Sequence, residues 1–269
     1  MRLDDVRGFV FDVDGTLVHR SGEQIHVIDG ALEVLERVAA SGRPFAIFTN
    51  GSHLVPEGFA RGLREAGLPI EDGQMLTPLR SALHYLARRH PGALVRLFAT
   101  AAVAEYMSAG GVRVAAEAQA QLADVVFVAH RHEVSLDELE RAAREVRAGA
   151  RLLTGSYVSA YAGADGPIIS RGAMIAAAIA KASGVRPTIV GKPSKAAVAV
   201  IAERLGLPTA EIAVVGDDLA MDIGLGRIGG SRTILVRSGI SGTLDLGHIP
   251  ERQRPDAVID NVAELLPLL

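Results

Sequence analysis

Cysteine is absent from the 269-residue sequence. Its absence excludes disulfides, thiolate metal sites and a cysteine nucleophile, and it suits a reducing compartment. Tryptophan is also absent and aromatic residues make up only 4%. The core must therefore be built from Ala, Val, Leu and Ile, for which a 49% hydrophobic content is ample. No charge excess exists: 28 Lys and Arg face 31 Asp and Glu, a net charge of −3. That balance argues against general binding to nucleic acid or a membrane surface. Long apolar runs are missing too. Ala173 to Ala180 is among the longest uncharged ones, far short of the ~20 residues that span a bilayer. The N-terminus has no apolar signal-peptide segment, so a cytoplasmic protein is expected. The length sets a prior of one or two domains.

What the sequence does contain is concentrated in Phe9-Val10-Phe11-Asp12-Val13-Asp14-Gly15-Thr16-Leu17. An apolar run reads as a buried strand, and it ends in two carboxylates one residue apart. A glycine then permits a tight turn. Two carboxylates at the end of a buried strand repel each other and resist desolvation. Folding alone gives no reason to place them there, so a cation or a reacting group is expected beside them.

Strand-like and helix-like segments alternate along the chain, which predicts an α/β fold with a parallel sheet. Strands are expected at Phe9–Asp12, Phe45–Thr49, Thr188–Val190, Ile212–Val215, Thr233–Val236 and Ala257–Ile259. Helices are expected at Ala31–Ala40 (with Leu32, Leu35, Val38 and Ala39 on one face), Glu57–Ala66, Lys195–Leu205 and from about Val262. Four of the strands end in polar groups: Asp12, Thr49, Lys192 and Asp217. Ligands of open parallel sheets bind outside the carboxyl ends of the strands, so these groups are expected to share one crevice. The middle segment lacks such strand ends but has its own alternation. Leu94–Phe98, Val125–Val128 and Arg151–Leu153 read as strands, and Ser135-Leu136-Asp137-Glu138 as a capping box opening a helix. The expected organisation is a core of residues 1–79 and 188–269, with a second α/β domain, 80–187, inserted into it.

The four groups suit phosphate chemistry. Asp12 is placed as a nucleophile. Asp12, Asp14 and Asp217 form an oxygen-rich set for a hard cation, and Mg²⁺ fits best because it takes few carboxylates and keeps water and phosphate oxygens. Like charges 4 Å apart repel by about 4 kcal/mol at an effective dielectric of 20, so attack on a phosphate needs the cation and Lys192. Thr49 and the amides of Asn50 and Gly51 can donate to phosphoryl oxygens. Asp14 can serve as acid to the leaving oxygen and then as base to water. Asp222 is expected behind these, anchoring Lys192 or a metal-bound water, with Asp218 either beside it or acting as a turn cap. The eight histidines are scattered, and His130 and His132 read as loop residues.

In these motifs the chain resembles the haloacid dehalogenase superfamily of phosphatases. The four motifs stand in order as Asp12-Val13-Asp14-Gly15-Thr16, Thr49 in Phe48-Thr49-Asn50-Gly51, Lys192 in Val190-Gly191-Lys192-Pro193-Ser194, and Gly216-Asp217-Asp218 with Asp222. The position of the insertion and the wording of the second and third motifs are similar to the class IIA-capped branch. The resemblance implies a Rossmann-like core with a cap domain, an aspartyl-phosphate intermediate, and Mg²⁺ held by Asp12, the main-chain carbonyl of Asp14, and Asp217. It also implies a small phosphorylated metabolite as substrate and frequent homodimers formed through the cap. Two cap segments depart from the family wording: Leu153-Thr154-Gly155-Ser156-Tyr157 and Ile169-Ser170-Arg171-Gly172-Ala173. Substrate choice is accordingly expected around Thr154–Tyr157 and Arg171, where the Arg171 guanidinium could pair with a second anionic group. A phosphotransferase or phosphomutase would carry the same four motifs. A receiver-type phospho-acceptor module would share an Asp, a Thr and a Lys, but it is about half as long and lacks a cap.

Overall fold

The computed structural model describes residues 3, 5–22, 24–116, 121–161 and 168–269. Two parallel sheets organise the chain. The first has six strands in the order Ala257–Ile259, Arg232–Val236, Ile212–Gly216, Gly8–Phe11, Phe45–Phe48, Met75–Leu76, and every pairing in it is parallel. Gly8–Phe11 and Phe45–Phe48 are buried at every residue, because apolar side chains cover both faces. On one face Phe9, Phe11, Phe45 and Ile47 pack with Val34, Leu35 and Val38 of the helix Ala31–Ala40. On the other, Val10, Ala46 and Phe48 pack with Ala197, Val200 and Ile201 of the helix Lys195–Leu205. Each such buried side chain contributes roughly 1.5–3 kcal/mol. This is why these strands read as continuous apolar runs.

The topology singles out Gly8–Phe11. The chain leaves it toward Phe45–Phe48 on one side, and the later strand Ile212–Gly216 docks on the other. Asp12 therefore sits where the strand order reverses, the place where crevices open in doubly wound sheets.

The second sheet has five parallel strands in the order Thr188–Ile189, Arg151–Thr154, Val125–Val128, Leu94–Phe98, Arg113–Val114. The helices Leu136–Arg147 and Arg171–Ser183 pack against one of its faces through Ala142, Val146, Ile175, Ala176 and Ile179. The capping box at Ser135 forms as expected, with Ser135 and Glu138 bonded reciprocally. This sheet encloses an ion pair that the sequence did not reveal. Arg96 donates two hydrogen bonds to Glu145, at 2.6 and 2.8 Å, and both side chains are buried.

Two expectations need correction, the sheet that Thr188–Ile189 joins and the buried face of the helix Ala31–Ala40. Thr188–Ile189 was assigned to the first sheet, but it pairs with Arg151–Thr154 in the second. The inserted unit therefore runs past the expected border at 187/188. The C-terminal helix starts at Val262 as expected and runs to Leu268 as a 3₁₀ helix containing Pro267. Ala39 is exposed, and the buried stripe of its helix is Ala31, Val34, Leu35 and Val38. Finally, an unforeseen hairpin, Val18–Ser21 with Gln24–Val27, follows the first motif.

Candidate active site

The sequence-predicted groups converge. Asp12 follows the central strand, and its main-chain N–H donates to Val215 O at 2.9 Å, continuing the ladder to the Asp217 strand. Gly15 turns the chain with φ +87°, and a Cβ there would lie 2.5 Å from Asp217 Oδ2. Only glycine lets the first motif close onto the fourth. Asp217 ends the strand Ile212–Gly216, and Asp222 returns toward it on the π-helical turn Leu219–Ile223. Oxygens of Asp12, Asp217 and Asp222 all lie within 4.8 Å of one another.

Lys192 is the counter-charge. Its buried Nζ donates to Asp12 Oδ1 at 2.5 Å and to Asp222 Oδ1 at 2.6 Å. Burial works against its charge, but Asp12 and Asp222 more than offset that and raise its pKa well above the usual lysine value. Lys192 is thus an ammonium. Asp222 spends its other oxygen on the N–H of Asp218 at 3.1 Å. Asp217 has no cation partner among the described residues; its Oδ2 accepts from Ile240 N at 2.6 Å. Burial, then Asp12 and Asp222, push its carboxyl up to about 9, and burial likewise pushes Asp222 to about 7. Three carboxylates facing one ammonium are short of positive charge.

That shortage is what a divalent cation would relieve. The donors are hard carboxylate oxygens, and among the described residues no imidazole joins the cluster. The residues therefore fit Mg²⁺, with Asp12 and Asp217 as the side chains free to hold it. Asp222 is committed to Lys192 and the Asp218 amide, the supporting place the sequence suggested for it. Asp218 is not part of this set. Its Oδ1 caps the π-helical turn through Ala220 N and Met221 N, at 2.7 and 3.1 Å.

The remaining motif residues take other places. The Asp14 side chain turns away from the carboxylate cluster and accepts from Arg20 Nε at 2.6 Å. Arg20 comes from the unforeseen hairpin, and nothing in the sequence pattern pointed to it. Thr49 is buried, and its hydroxyl accepts from Gly51 N at 3.1 Å, so that amide is spent on shaping the loop. The Asn50 side chain grips the lysine loop instead of reaching into the crevice. Its Nδ2 donates to Lys192 O at 2.8 Å, and its Oδ1 accepts from Lys192 N at 2.7 Å.

This clasp explains how Lys192 reaches the crevice from the wrong sheet. Its strand ends in the second sheet, and Asn50 of the first ties the following loop down. Asp12, Asp217 and Lys192 converge as expected, but the two aspartates arrive from strands of one sheet and the lysine from its neighbour.

In the second domain, Thr154 is buried and donates to Ser156 O at 2.8 Å, a structural use. Arg171 opens the helix Arg171–Ser183 and donates to His132 O at 3.1 Å. His130 and His132 lie in the loop after Val125–Val128, as expected, and there form a ring cluster with His53, with centroids 5.6 and 4.9 Å apart. His53 is far from the pair in sequence, so no spacing signal announced the cluster.

The chain matches known proteins over nearly all this structure. A model of haloacid dehalogenase-like hydrolases matches residues 9–113, and a HAD-hydrolase-like model matches residues 189–265. The chain is 27% identical over 239 residues to an acid sugar phosphatase of Staphylococcus aureus, covering 89% of each. Its fold is similar to NagD from E. coli K-12, with TM-score 0.84, 26% identity and 98% of each chain covered. It is also similar to a 4-nitrophenylphosphatase from Thermotoga maritima, with TM-score 0.86, 28% identity and 99% of each chain covered. With the four motifs gathered on a Rossmann-like core beside a second α/β domain, the chain belongs to the haloacid dehalogenase-like hydrolases, among the class IIA-capped phosphatases.

Proposed function

We propose that this phosphatase is Mg²⁺-dependent and hydrolyses a small phosphomonoester metabolite in two steps through a phosphoryl ester on Asp12. The observation that supports this most is the disposition of Asp12. It stands at the switch point of the sheet, one oxygen on the Lys192 ammonium and the carboxylate within reach of Asp217. A carboxylate so held is oriented for in-line attack, and phosphoryl transfer depends mainly on such positioning and charge neutralisation.

In the first step an Asp12 oxygen bonds to phosphorus and the ester P–O bond breaks. The leaving oxygen takes a proton from Asp14. In the second, water attacks phosphorus, Asp14 takes the water's proton, and Asp12 is released as a carboxylate. Asp14 is placed apart from the carboxylate cluster, and its carboxylate is held by Arg20. Thr49 and Lys192 address the phosphoryl oxygens. When bound at Asp12 and Asp217, the cation supplies the positive charge that lets an anionic nucleophile approach an anionic phosphate.

The relatives are named an acid sugar phosphatase and a 4-nitrophenylphosphatase, and p-nitrophenyl phosphate is the direct probe. Turnover should require Mg²⁺ and stop with EDTA. Asp12→Asn should reduce it to near background. Rapid quenching of the wild type with labelled substrate should leave acid-stable, hydroxylamine-sensitive phosphate on Asp12. Full activity in a verified metal-free preparation, or in Asp12→Asn, would overturn the mechanism.

A further inference from the structure

Beside the catalytic crevice, the junction of the two domains gathers basic side chains that have no acidic partner among the described residues. His53 follows the second motif on the core. His130 and His132 follow the strand Val125–Val128 of the second sheet, and Arg171 opens the helix Arg171–Ser183. Gly172 makes the approach of that helix possible: an added Cβ there would overlap the carbonyl oxygen of Ala129. Arg171 is then fixed against the His132 carbonyl at 3.1 Å, which leaves guanidinium donors beyond that bond.

Three features mark this as a place made for an anion. His130 Nε2 is shut off from solvent and has no hydrogen-bond partner, a costly arrangement unless something completes it. The charged or chargeable neighbours acting on His130 are His53, His132 and Arg171, all basic. Those acting on His53 are Arg20 and His132. Among the described residues no carboxylate pairs with Arg171 or with any of the three imidazoles. Burial first, then these basic neighbours, hold His53 below the usual histidine range and His130 at about 4. His53 and His130 thus stay neutral for want of an anion.

The cluster also adjoins the chemistry. Tyr161 of the second domain lies within electrostatic reach of Asp14, Arg20 and Arg171 alike. Asp14 is the residue that serves the leaving oxygen, so the leaving group points toward Tyr161 and Arg171.

Building on the phosphatase reading above, we propose that His130 and Arg171, with Tyr161 beside them, form a second anion subsite. The preferred substrates are then phosphomonoesters whose leaving group carries its own anionic end, a carboxylate or a second phosphate. His130 contributes Nε2 and Arg171 its remaining N–H groups, both charge-assisted donors once the anion is in place.

Binding of non-hydrolysable phosphonates to the Mg²⁺-loaded protein, measured by calorimetry, tests this. The probes are propylphosphonate, 3-phosphonopropanoate and propane-1,3-bisphosphonate. The wild type should bind at least one anionic-ended probe roughly tenfold more tightly than propylphosphonate, the effect of one hydrogen bond to a charged group. Which of the two gains identifies the carboxylate or the second phosphate as the natural end. In Arg171→Ala and His130→Leu that advantage should shrink toward unity, and Arg171→Lys should retain part of it. Equal affinity for all three probes in the wild type, or an advantage unchanged in both variants, overturns the subsite. Turnover of p-nitrophenyl phosphate by the same preparations separates the failures. If it is hydrolysed and the probes bind alike, only the subsite falls; if it is not hydrolysed, the phosphatase mechanism falls and the subsite with it.

Discussion

Asn50→Ala tests what holds Lys192 in the crevice. The sequence placed the main-chain amide of Asn50 on the phosphate, and the substitution leaves that amide in place. The structure commits its side chain to Lys192, with bonds of 2.8 Å to the carbonyl and 2.7 Å from the amide. Each is a neutral amide hydrogen bond, worth about 1 kcal/mol net. Losing both costs the placement of Lys192 about 2 kcal/mol. At about 1.4 kcal/mol per factor of ten, kcat/KM for p-nitrophenyl phosphate should fall by no more than about 30-fold. Lys192→Met removes the ammonium itself, and loss of such a preorganised charge costs roughly 10²–10³ or more.

The ranking is the test, measured with saturating Mg²⁺ and with folding checked by circular dichroism. Asn50→Asp sharpens it. An aspartate still accepts from Lys192 N but sets a carboxylate against Lys192 O, so it should do no better than alanine. A loss in Asn50→Ala as deep as in Lys192→Met would put Asn50 on the substrate. Undiminished kcat/KM would show that the clasp positions nothing.

Two further outcomes follow from buried charge. Asp217 titrates near 3.8 when unfolded and about 9 in the metal-free fold, so the folded protein holds an extra proton across that window. Metal-free stability should then fall as pH rises through it, while Mg²⁺ competes with that proton; the Mg²⁺-induced rise in Tm should be small at about pH 5.5 and large at about pH 8.5, and equal rises would take Asp217 off the cation. Arg96→Met strands the Glu145 carboxylate in the second domain and should cost about 3–5 kcal/mol in urea unfolding, most of it recovered in Arg96→Met/Glu145→Leu; a double variant no more stable than the single would show that Arg96 matters for packing alone.

The first sheet was legible because its strands are buried on both faces. Phe9-Val10-Phe11 and Phe45-Ala46-Ile47-Phe48 leave no room for polar alternation, and the polar residue that follows each marks a strand end. Thr188–Ile189 was read correctly as a strand and placed in the wrong sheet. A two-residue strand carries no pattern to say which partner it joins, and its nearness to Lys192 argued for the core. The hairpin from Val18 to Val27 escaped notice because His19, Arg20, Gln24 and His26 alternate with few apolar residues, as suits a ribbon with little core beneath it. Arg96 interrupts an otherwise apolar strand. Only the fold brings Glu145, one face of a helix later in the chain, against it.

The active site divides along the same line. Residues that act through the backbone position of their strand, Asp12, Thr49 and Asp217, could be placed by counting from the apolar run before them. Residues that act through a side chain's reach could not. Asp14 stands two positions after Asp12, and strand alternation would aim both carboxylates the same way. The Gly15 turn ends the strand and sends Asp14 to Arg20 instead. Asp222, five positions beyond Asp217, returns to the cluster because the turn between them is wound as a π-helix. The exchange of Asp14 for Asp222 changes the electrostatics of the centre. Asp14 is balanced by Arg20, so it adds no net charge. Asp12, Asp217 and Asp222 share the single ammonium of Lys192. Fully ionised, that group is two positive charges short, and a buried site cannot bear such an imbalance. Protonation relieves part of it in the metal-free protein, where burial first and then Asp12 and Asp222 raise the Asp217 carboxyl to about 9. A divalent cation relieves it entirely, and a monovalent one would leave a negative charge facing the incoming phosphate.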